Sequence, residues 1–519
     1  MAALLAALLL PGSAAASASA AKHVAPTVGG GANPAAKNGD FVTRSGSQLK
    51  LGGKPFRFSG ANIEWLGLIG YGPLNFEPSQ NERFPTHYEI DDALATAHEM
   101  GATVVRAQTL GDTVGCPNCL EPRAGEFNPA AFAVMDYAIA RAKYYGIRLI
   151  MEFEGDSRAQ HVADTDVYSR WGGGGNFYTD PTVIRTFEGH IAAILNRVNT
   201  YTGVAYKNDP SILGWMDCNF CGDTDAANTN KWIQAIGSYV KSIDHQHLFI
   251  SNGSIPDEQL LAASSVDAYA LEIYPHWAPY AGMTTEQMNQ LAHTAAAEAV
   301  AAGKVWFMSE YGWDKTDLAT PADLQNFLTG VEKDPNISGD LFWALESHTN
   351  GHGWQPIPAN ELCQPGTNDS TPPPGPGPAD GSGCYSNEDG NWWALYYTGI
   401  PTMSHTQADM AARAQILRTH AYQIRGFHNT PKHDTPPAPT ITSTDGGRVY
   451  WQGSAGAASY SIQRSTAPQG HWTTVCDHCV TDLSDGWPET TNGGWYRVIP
   501  YNLDGKPGPT SAPFPGGRR

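Results

Sequence analysis

Short apolar runs rich in β-branched and aromatic residues alternate with amphipathic helical patterns along most of the chain. Helix-like segments such as YEIDDALATAHEM and TEQMNQLAHTAAAEAVAA repeat their apolar positions with a period close to 3.6. Because strand–helix alternation requires a parallel sheet, eight such units predict a closed (β/α)8 barrel. The eight predicted strands are FRFSGAN near 56, ATVVRAQ near 102, GIRLIMEFE near 146, SILGWMDC near 211, HLFISNG near 247, AYALEIY near 268, VWFMSEYG near 305 and GDLFWALE near 339.

An open, doubly wound sheet is the alternative reading of the same pattern. Such a sheet is expected to carry a glycine-rich nucleotide loop after an early strand. The run GGGG at 172–175 lies in a predicted loop and not between a strand and a helix. We therefore favour the barrel and expect no nucleotide, other cofactor or metal ion.

The pattern changes at both ends of the predicted barrel. An apolar run of about ten residues followed by Ala18-Ser19-Ala20 resembles an export signal, although a basic start is missing. Near the other end, QADMAARAQILRTHAYQIRG predicts the helix that closes the barrel, and short strands such as RVYWQG and WYRVIP predict a small all-β sandwich. The expected order is a signal peptide at 1–20, a flexible leader at 21–40, the barrel at 41–428, a linker at 429–437 and the sandwich at 438–515.

Charge and aromatic content narrow the range of partners. The 51 acidic residues exceed the 32 basic ones, and the formal charge of -19 argues against nucleic acid and anionic membranes, which both require a basic face. The chain also has 15 Trp and 22 Tyr, whose flat amphipathic rings suit sugar rings. We expect a neutral carbohydrate as partner, no membrane anchor, and a secreted, extracellular monomer.

Six of the eight cysteines form CxxC pairs. In an exported protein the first interpretation is disulfide bonding, and the alternative is a four-thiolate zinc site made by two pairs that meet in space. The remaining two cysteines, Cys363 and Cys384, flank a Pro/Gly-rich loop that a disulfide would close. The pairs are Cys116 with Cys119, Cys218 with Cys221, and Cys476 with Cys479.

The predicted strands end in many polar residues. In a parallel barrel the reactive groups stand at the C-terminal ends of the strands, so these residues should surround one cleft. Several carboxylates with an arginine, a tyrosine and tryptophans are typical of glycoside chemistry. The cleft residues are Asn62, Trp65, Arg106, Glu152, Glu154, Asp156, Asp217, Asn219, Glu272, Tyr274, His276, Glu310, Trp343, Glu346 and His348.

Several motifs in order resemble the retaining (β/α)8 glycoside hydrolases, most closely the β-mannanase-like members of glycoside hydrolase family 5. The motifs are SGANIEWL, GATVVRAQTLGD, YKNDPSILGW, EIYPHW, SEYGW and LFWAL, and the match spans residues 41 to 426. The resemblance makes Glu310 the nucleophile, with Arg106 and Tyr274 holding it ionised and aligned. It places Trp343 on the floor of the sugar subsite and Asn219 on the 2-hydroxyl, and His276, Glu154 and Trp65 are further candidates for substrate binding.

The C-terminal segment resembles a fibronectin type III module. Trp451, Tyr460-Ser461-Ile462 and Tyr496 with the closing YNLDGKPGP carry this resemblance. Such a module implies spacing or surface attachment, and it contains no catalytic cluster.

One departure from the family pattern concerns the proton donor. The family has its acid/base glutamate directly after the asparagine of the fourth strand, but here Phe220 follows Asn219, and Glu272 replaces a histidine. Asp217 is a substitute one step deeper on the strand of Asn219, Glu272 is one on the strand beside Glu310, and Glu154 is one across the barrel at the wider spacing of inverting enzymes. We prefer Glu272 and Asp217 without ranking them.

These observations predict a secreted glycoside hydrolase that acts on a β-linked, mannan- or glucan-like poly- or oligosaccharide, with Glu310 as nucleophile. A carbohydrate-binding protein that has lost hydrolysis is the first alternative. A transglycosylase, which shares the covalent intermediate and excludes water, is the second.

Overall fold

The computed structural model describes most of the barrel and the C-terminal region. Within these residues, no helix is both long and apolar enough to span a bilayer. The described residues are 40–69, 82–155, 164–219, 222–253, 257–274, 282–312, 320–350, 395–398, 406–444, 447–480, 487–488 and 493–517.

A small antiparallel sheet that the sequence analysis did not predict precedes the barrel. It consists of β1 (Val42–Ser45), β2 (Gln48–Leu51) and β3 (Lys54–Pro55). Val42 and Leu49 share an apolar cluster with Phe58 and Phe307 of the barrel interior. The sheet therefore packs against the end of the barrel at which the first barrel strand begins.

Eight parallel strands close into a barrel in the order β10-β11-β4-β5-β6-β7-β8-β9. The predicted (β/α)8 TIM barrel is confirmed, and each of its strands falls on one of the eight predicted runs. Side chains such as Val104 and Ile150 fill the interior, so the barrel is a packed core and the chemistry is left to its rim. The strands are β4 (Phe58–Asn62), β5 (Val104–Ala107), β6 (Arg148–Glu152), β7 (Ile212–Met216), β8 (Leu248–Asn252), β9 (Ala268–Ile273), β10 (Val305–Tyr311) and β11 (Ile337–Phe342).

The helices follow the barrel strands in sequence. Several begin at a capping box, as where Thr86 and Glu89 exchange hydrogen bonds at the start of the first helix. After β8, where no helical pattern was identified, the helix has only four residues. The helices are α1 (His87–Glu99), α2 (Pro129–Tyr145), α3 (Asp164–Trp171), α4 (Pro181–Asn196), α5 (Ala226–Ile243), α6 (Glu258–Leu261), α7 (Thr285–Ala301), α8 (Pro321–Lys333) and α9 (Gln407–Gln423).

The C-terminal region forms two antiparallel sheets, which confirms the predicted small sandwich. Their strand orders are β14-β15-β18 and β17-β16-β19-β20, and Trp451, Tyr460 and Tyr496 lie in the core between them. Fibronectin type III identity stays a prediction. The strands, with two short ones before α9, are β12 (Leu345–Glu346), β13 (Leu395–Tyr396), β14 (Thr440–Ser443), β15 (Arg448–Gln452), β16 (Ser459–Ser465), β17 (Thr473–Val480), β18 (Trp487–Pro488), β19 (Trp495–Tyr501) and β20 (Phe514–Pro515).

The segment between barrel and sandwich is held at a buried carboxylate of α1. Glu99 accepts a hydrogen bond from the backbone N–H of Asp434 at 2.8 Å, and it contacts the His433 ring at 2.7 Å and the Tyr397 hydroxyl at 3.1 Å. From the sandwich, the Asn502 amide donates to the carbonyl of His433 at 3.1 Å. The predicted linker at 429–437 is thus a fixed connection at these residues.

Two of the predicted cysteine pairs are disulfides, Cys116–Cys119 and Cys476–Cys479. The zinc alternative is therefore wrong for these two pairs. Cys221, Cys363 and Cys384 lie outside the described residues, as does the Pro/Gly-rich loop.

Candidate active site

A single arginine organises the rim of the barrel. Arg106, at the end of β5, is fully buried, and its guanidinium bonds side chains from several other strand ends. Burial alone lowers the pKa of Arg106, but the three carboxylates around it raise the pKa and keep the group charged. The contacts are Nε with Glu152, Nη1 with Glu310 and with Asn62 Oδ1 at 3.1 Å, and Nη2 with Asn219 Oδ1 at 2.8 Å and Glu272 Oε1 at 3.7 Å.

Both carboxylate oxygens of Glu310 are held. Oε1 pairs with Arg106, and Oε2 accepts a hydrogen bond from the Tyr274 hydroxyl at 2.7 Å. The pairing of β10 with β9 shifts register between Met308 and Glu310, and such an irregularity re-aims a side chain. Glu310 is therefore fixed in one orientation at the C-terminal end of the barrel, as the resemblance predicted for a nucleophile.

Glu272 stands directly beside Glu310, because the two are register partners on β9 and β10. Its Oε1 accepts a hydrogen bond from the Asn252 amide at 2.8 Å, and Asn252 is oriented in turn by the Ser309 hydroxyl, which donates to its Oδ1 at 2.6 Å. Glu272 Oε2 is buried and makes no hydrogen bond within the described residues. The predicted location of Glu272 next to Glu310 is confirmed.

The surroundings of Glu272 favour the protonated form of its carboxyl group. Burial is the main cause that raises its pKa well above the ordinary value, and the neighbouring charge of Glu310 adds to the effect, whereas Arg106 opposes it. A carboxyl group with a raised pKa beside an anchored carboxylate is the pairing that general acid catalysis needs.

Glu152 is the third carboxylate on Arg106. It is fully buried, and burial together with the charge of Glu310 raises its pKa to about 7 against the opposing effect of Arg106. Three carboxyl groups therefore share one guanidinium, and burial is the main cause of the raised pKa values of Glu152 and Glu272.

Asp217 has a different environment from the other predicted acids. Its Oδ1 accepts hydrogen bonds from the backbone N–H groups of Cys218 at 2.8 Å and Asn252 at 3.0 Å, and burial raises its pKa to about 7. The sequence pattern predicts Asp217 on the same strand as Asn219. In the structure β7 ends at Met216, so the alternation of side chains along that strand does not determine the direction of Asp217. Among the described residues no hydrogen bond or ion pair joins Asp217 to Arg106 or Glu310.

Asn219 and Glu154 are neighbours at the rim. The backbone N–H of Asn219 donates to the carbonyl of Glu154 at 3.0 Å, and the Asn219 side chain turns its oxygen toward Arg106. Glu154 is fully buried. These contacts place Asn219 in the cluster and the backbone of Glu154 next to that of Asn219.

The tryptophans differ in their surroundings. Trp343 packs with Tyr274 and Ala344 next to the cluster, and its backbone N–H donates to the carbonyl of Tyr311 at 2.9 Å. Trp65 is 5% exposed and packs in the main apolar core together with residues of the surrounding helices.

One further predicted rim residue, His348, lies away from the cluster. His348 pairs with Asp92 of α1 at 2.8 Å and packs against Gly453 of the sandwich, so it belongs to the junction between the two units. His276, Asp156 and Phe220 lie outside the described residues.

Two residues of the network were not predicted from the sequence. Asn252 and Ser309 orient Glu272, and neither was among the expected rim residues. A signal was present for Asn252, because it ends the fifth barrel strand and every strand end contributes to the rim. Among the described residues, no three His, Cys, Asp or Glu side chains are arranged to hold a metal ion.

An anchored carboxylate beside a carboxyl group with a raised pKa, at the C-terminal end of a parallel barrel, defines a site of the glycoside hydrolase type. The comparisons with known proteins agree with this class. A family model described as GH family 5 beta-mannosidase-like matches residues 156–270. The predicted resemblance to glycoside hydrolase family 5 is thereby confirmed.

Two curated relatives match about two fifths of the chain. Mannan endo-1,4-beta-mannosidase 5 of Solanum lycopersicum is 31% identical over 217 residues, which cover 40% of this chain and 49% of the relative. Mannan endo-1,4-beta-mannosidase 3 of Arabidopsis thaliana is 33% identical over 222 residues, with 41% and 50% covered. The chain thus spans about half the length of these relatives.

Solved structures match over a larger part of the chain. The endo-beta-1,4-mannanase from Thermotoga petrophila has a TM-score of 0.52 at 20% identity and covers 90% of this chain and 99% of its own. The family 5 mannosidase from Rhizomucor miehei has a TM-score of 0.54 at 18% identity, with 75% and 98% covered. At these identities the likeness establishes the fold alone.

Proposed function

We propose that the protein is a glycoside hydrolase that cleaves β-linked mannan-like poly- or oligosaccharides with a glutamate nucleophile, Glu310, and a non-standard proton donor, Glu272. The observation that carries this proposal is the register pairing of Glu272 with Glu310 on adjacent strands. The relatives named as mannan endo-1,4-beta-mannosidases support mannan as the substrate class.

The geometry suits a retaining mechanism. Adjacent parallel strands lie about 4.8 Å apart, close to the roughly 5 to 5.5 Å between the carboxyl groups of retaining glycosidases. The Glu310 carboxylate forms a bond to the anomeric carbon while the glycosidic C–O bond breaks and Glu272 gives its proton to the leaving oxygen. Water then attacks the anomeric carbon, Glu272 takes up a proton from that water, and the bond to Glu310 breaks.

Glu272 is preferred over the other two candidate donors because of its contacts. Asp217 uses its carboxylate to accept hydrogen bonds from the backbone at the ends of β7 and β8. Glu154 lies beyond the end of β6, whose neighbours in the barrel are β5 and β7 and not β10. Glu272 is both the register partner of Glu310 and within 3.7 Å of Arg106.

Export remains part of the proposal. The two disulfides in the described residues are consistent with an oxidising compartment, where such bonds persist. Fractionation of the source cells with an antibody to the barrel tests this point, and retention of the whole protein in a reducing cytosol would contradict it.

The decisive experiment compares the wild-type protein with Glu310→Gln on β-mannan, β-glucan, xylan and arabinan. We expect turnover of β-mannan by the wild type and a loss of roughly 10³-fold or more in the variant, because the covalent intermediate cannot form. Undetectable turnover by both proteins, with sugar binding retained, would instead establish the carbohydrate-binding alternative. Products longer than the substrate would identify a transglycosylase.

A second comparison identifies the proton donor. Glu272→Gln should lose roughly 10²- to 10⁴-fold on mannan but much less on an aryl mannoside with an activated leaving group, which needs little protonation. Equal losses on both substrates would remove Glu272 from the role of acid.

A further inference from the structure

Within the described residues, three carboxyl groups surround the single positive charge of Arg106. Glu152, Glu272 and Glu310 all lie on this one guanidinium, and all three are buried. The nucleophile needs to be ionised and the donor needs to be protonated, but neither role requires the third acid. Glu152 is therefore a buried titratable group that the proposed reaction leaves without a function.

The contacts of Glu152 differ from those of the other two carboxylates. Glu310 and Glu272 approach the terminal nitrogens Nη1 and Nη2 of Arg106, whereas Glu152 approaches Nε from the opposite side of the barrel rim. A guanidinium is a rigid planar fork, so an anchor at Nε fixes the direction in which both terminal nitrogens point. Glu152 Oε2 is buried and has no hydrogen-bond partner within the described residues.

We propose that Glu152 is a positioning residue that anchors Arg106 through Nε and sets, by its own charge, the highest pH at which Glu272 still carries its proton. The proposal rests on the function proposed above for Glu272. It assigns a role to the last residue of the third barrel strand.

The sign of the effect follows from the surrounding charges. The charged or titratable groups that act on Glu272 among the described residues are Glu310, Arg106 and Glu152. Those that act on Glu152 are Arg106 and Glu310, and Glu152 in turn acts on Asp217. Once Glu152 ionises, it places a negative charge near Glu272. It also offsets part of the attraction between Arg106 and an ionised Glu272. Both effects favour the protonated form of Glu272.

The test replaces Glu152 by Gln, which keeps an oxygen for Nε and removes only the charge. We expect the alkaline limb of the kcat/KM profile on mannan to move about 1 pH unit toward acid, the shift expected from a charge several ångströms away. The same shift should appear without substrate in the infrared band of the protonated Glu272 carboxyl group, assigned by its absence from Glu272→Gln. Unmoved infrared titration in folded Glu152→Gln would overturn the proposal.

The infrared titration tests the role of Glu152 independently of the proposed role of Glu272 as the acid. A shifted infrared titration with no change in the kinetic limb would retain the role of Glu152 and remove Glu272 as the acid. Glu152→Asp retains the charge on a shorter side chain and should keep the titration of Glu272 near that of the wild type. If Glu152→Asp shifts the titration as far as Glu152→Gln does, packing and not charge is responsible, and the proposal fails.

Glu89→Gln is the matched control. Glu89 is also buried and paired with an arginine, Arg83, but it lies in the capping box of α1. Its loss should lower stability and leave both titrations unchanged.

Discussion

The hydroxyl of Tyr274 donates to Oε2 of Glu310 over 2.7 Å, on the oxygen that Arg106 does not hold. Hydrogen bonds to charged groups contribute about 1.5 to 3 kcal/mol. Removal of this hydroxyl in Tyr274→Phe should therefore lower kcat on mannan roughly 10- to 100-fold. KM should change little, because the bond aligns the nucleophile and does not bind the ground state.

Tyr269→Phe provides the control, on the strand that ends one residue before Tyr274. The Tyr269 hydroxyl donates to the carbonyl of Leu260 in the core between barrel and helices. Its loss should lower the melting temperature and leave kcat within about twofold of the wild type. Equal losses of kcat in the two variants would show that Tyr274 acts through stability and not through Glu310.

Most of the barrel could be predicted from the sequence, because hydrophobic periodicity depends on local burial. Each of the eight apolar runs became a barrel strand. The sheet of β1 to β3 was missed because its strands have two to four residues, too short for a period-2 pattern. The fixed connection at Glu99 was also missed, since PKHDTPP has the composition of a linker and its contacts come from residues distant in sequence.

The candidate site could be predicted only in part. Strand ends and family motifs placed Glu310, Arg106 and Tyr274 together, and their hydrogen bonds agree with that placement. The register shift in β10 that brings Glu310 opposite Glu272 has no sequence signal. The strand-end position of Asn252 was a usable signal, but the hydrogen bonds by which Asn252 and Ser309 orient Glu272 depend on that register and could not be predicted.

Asp217→Asn should separate a structural acid from a catalytic one. An asparagine keeps the Oδ1 that accepts from Cys218 and Asn252, so the end of β7 should remain tied to β8. We expect kcat on mannan within about fivefold of the wild type at pH 7, because the lost charge does not touch the substrate. A loss of 100-fold or more that is spared on an activated aryl mannoside would instead make Asp217 the proton donor.

Replacement of Glu99 should uncouple the sandwich from the barrel. In Glu99→Ala the bonds to Asp434, His433 and Tyr397 are lost, and Arg418 loses a carboxylate at 3.4 Å. Breaking such a buried pair costs about 3 to 5 kcal/mol. We expect calorimetry to resolve two unfolding transitions where the wild type has one.

Tyr88→Phe serves as the control for that experiment. It removes one hydrogen bond between the units, from the Tyr88 hydroxyl to the carbonyl of Gly453 at 2.9 Å. The cost should be about 1 kcal/mol, with a single transition retained. Indistinguishable calorimetric traces for the two variants would refute a junction centred on Glu99.

His420 gives the fold a pH dependence of known sign. This buried residue of α9 contacts Asp340 of β11 and Glu332 of α8, both at 2.8 Å. Burial alone lowers its pKa, but Asp340 and Glu332 raise the pKa from 6.5 to about 9. Because the folded pKa is the higher one, the stabilisation, roughly 3 kcal/mol, is complete below pH 6.5 and disappears as the pH rises through 9. The difference in unfolding free energy between the wild type and His420→Gln, measured by urea titration, should therefore be largest at pH 6 and shrink steadily toward pH 9.5. A difference that stays constant over this range would show that His420 is neutral in the folded protein.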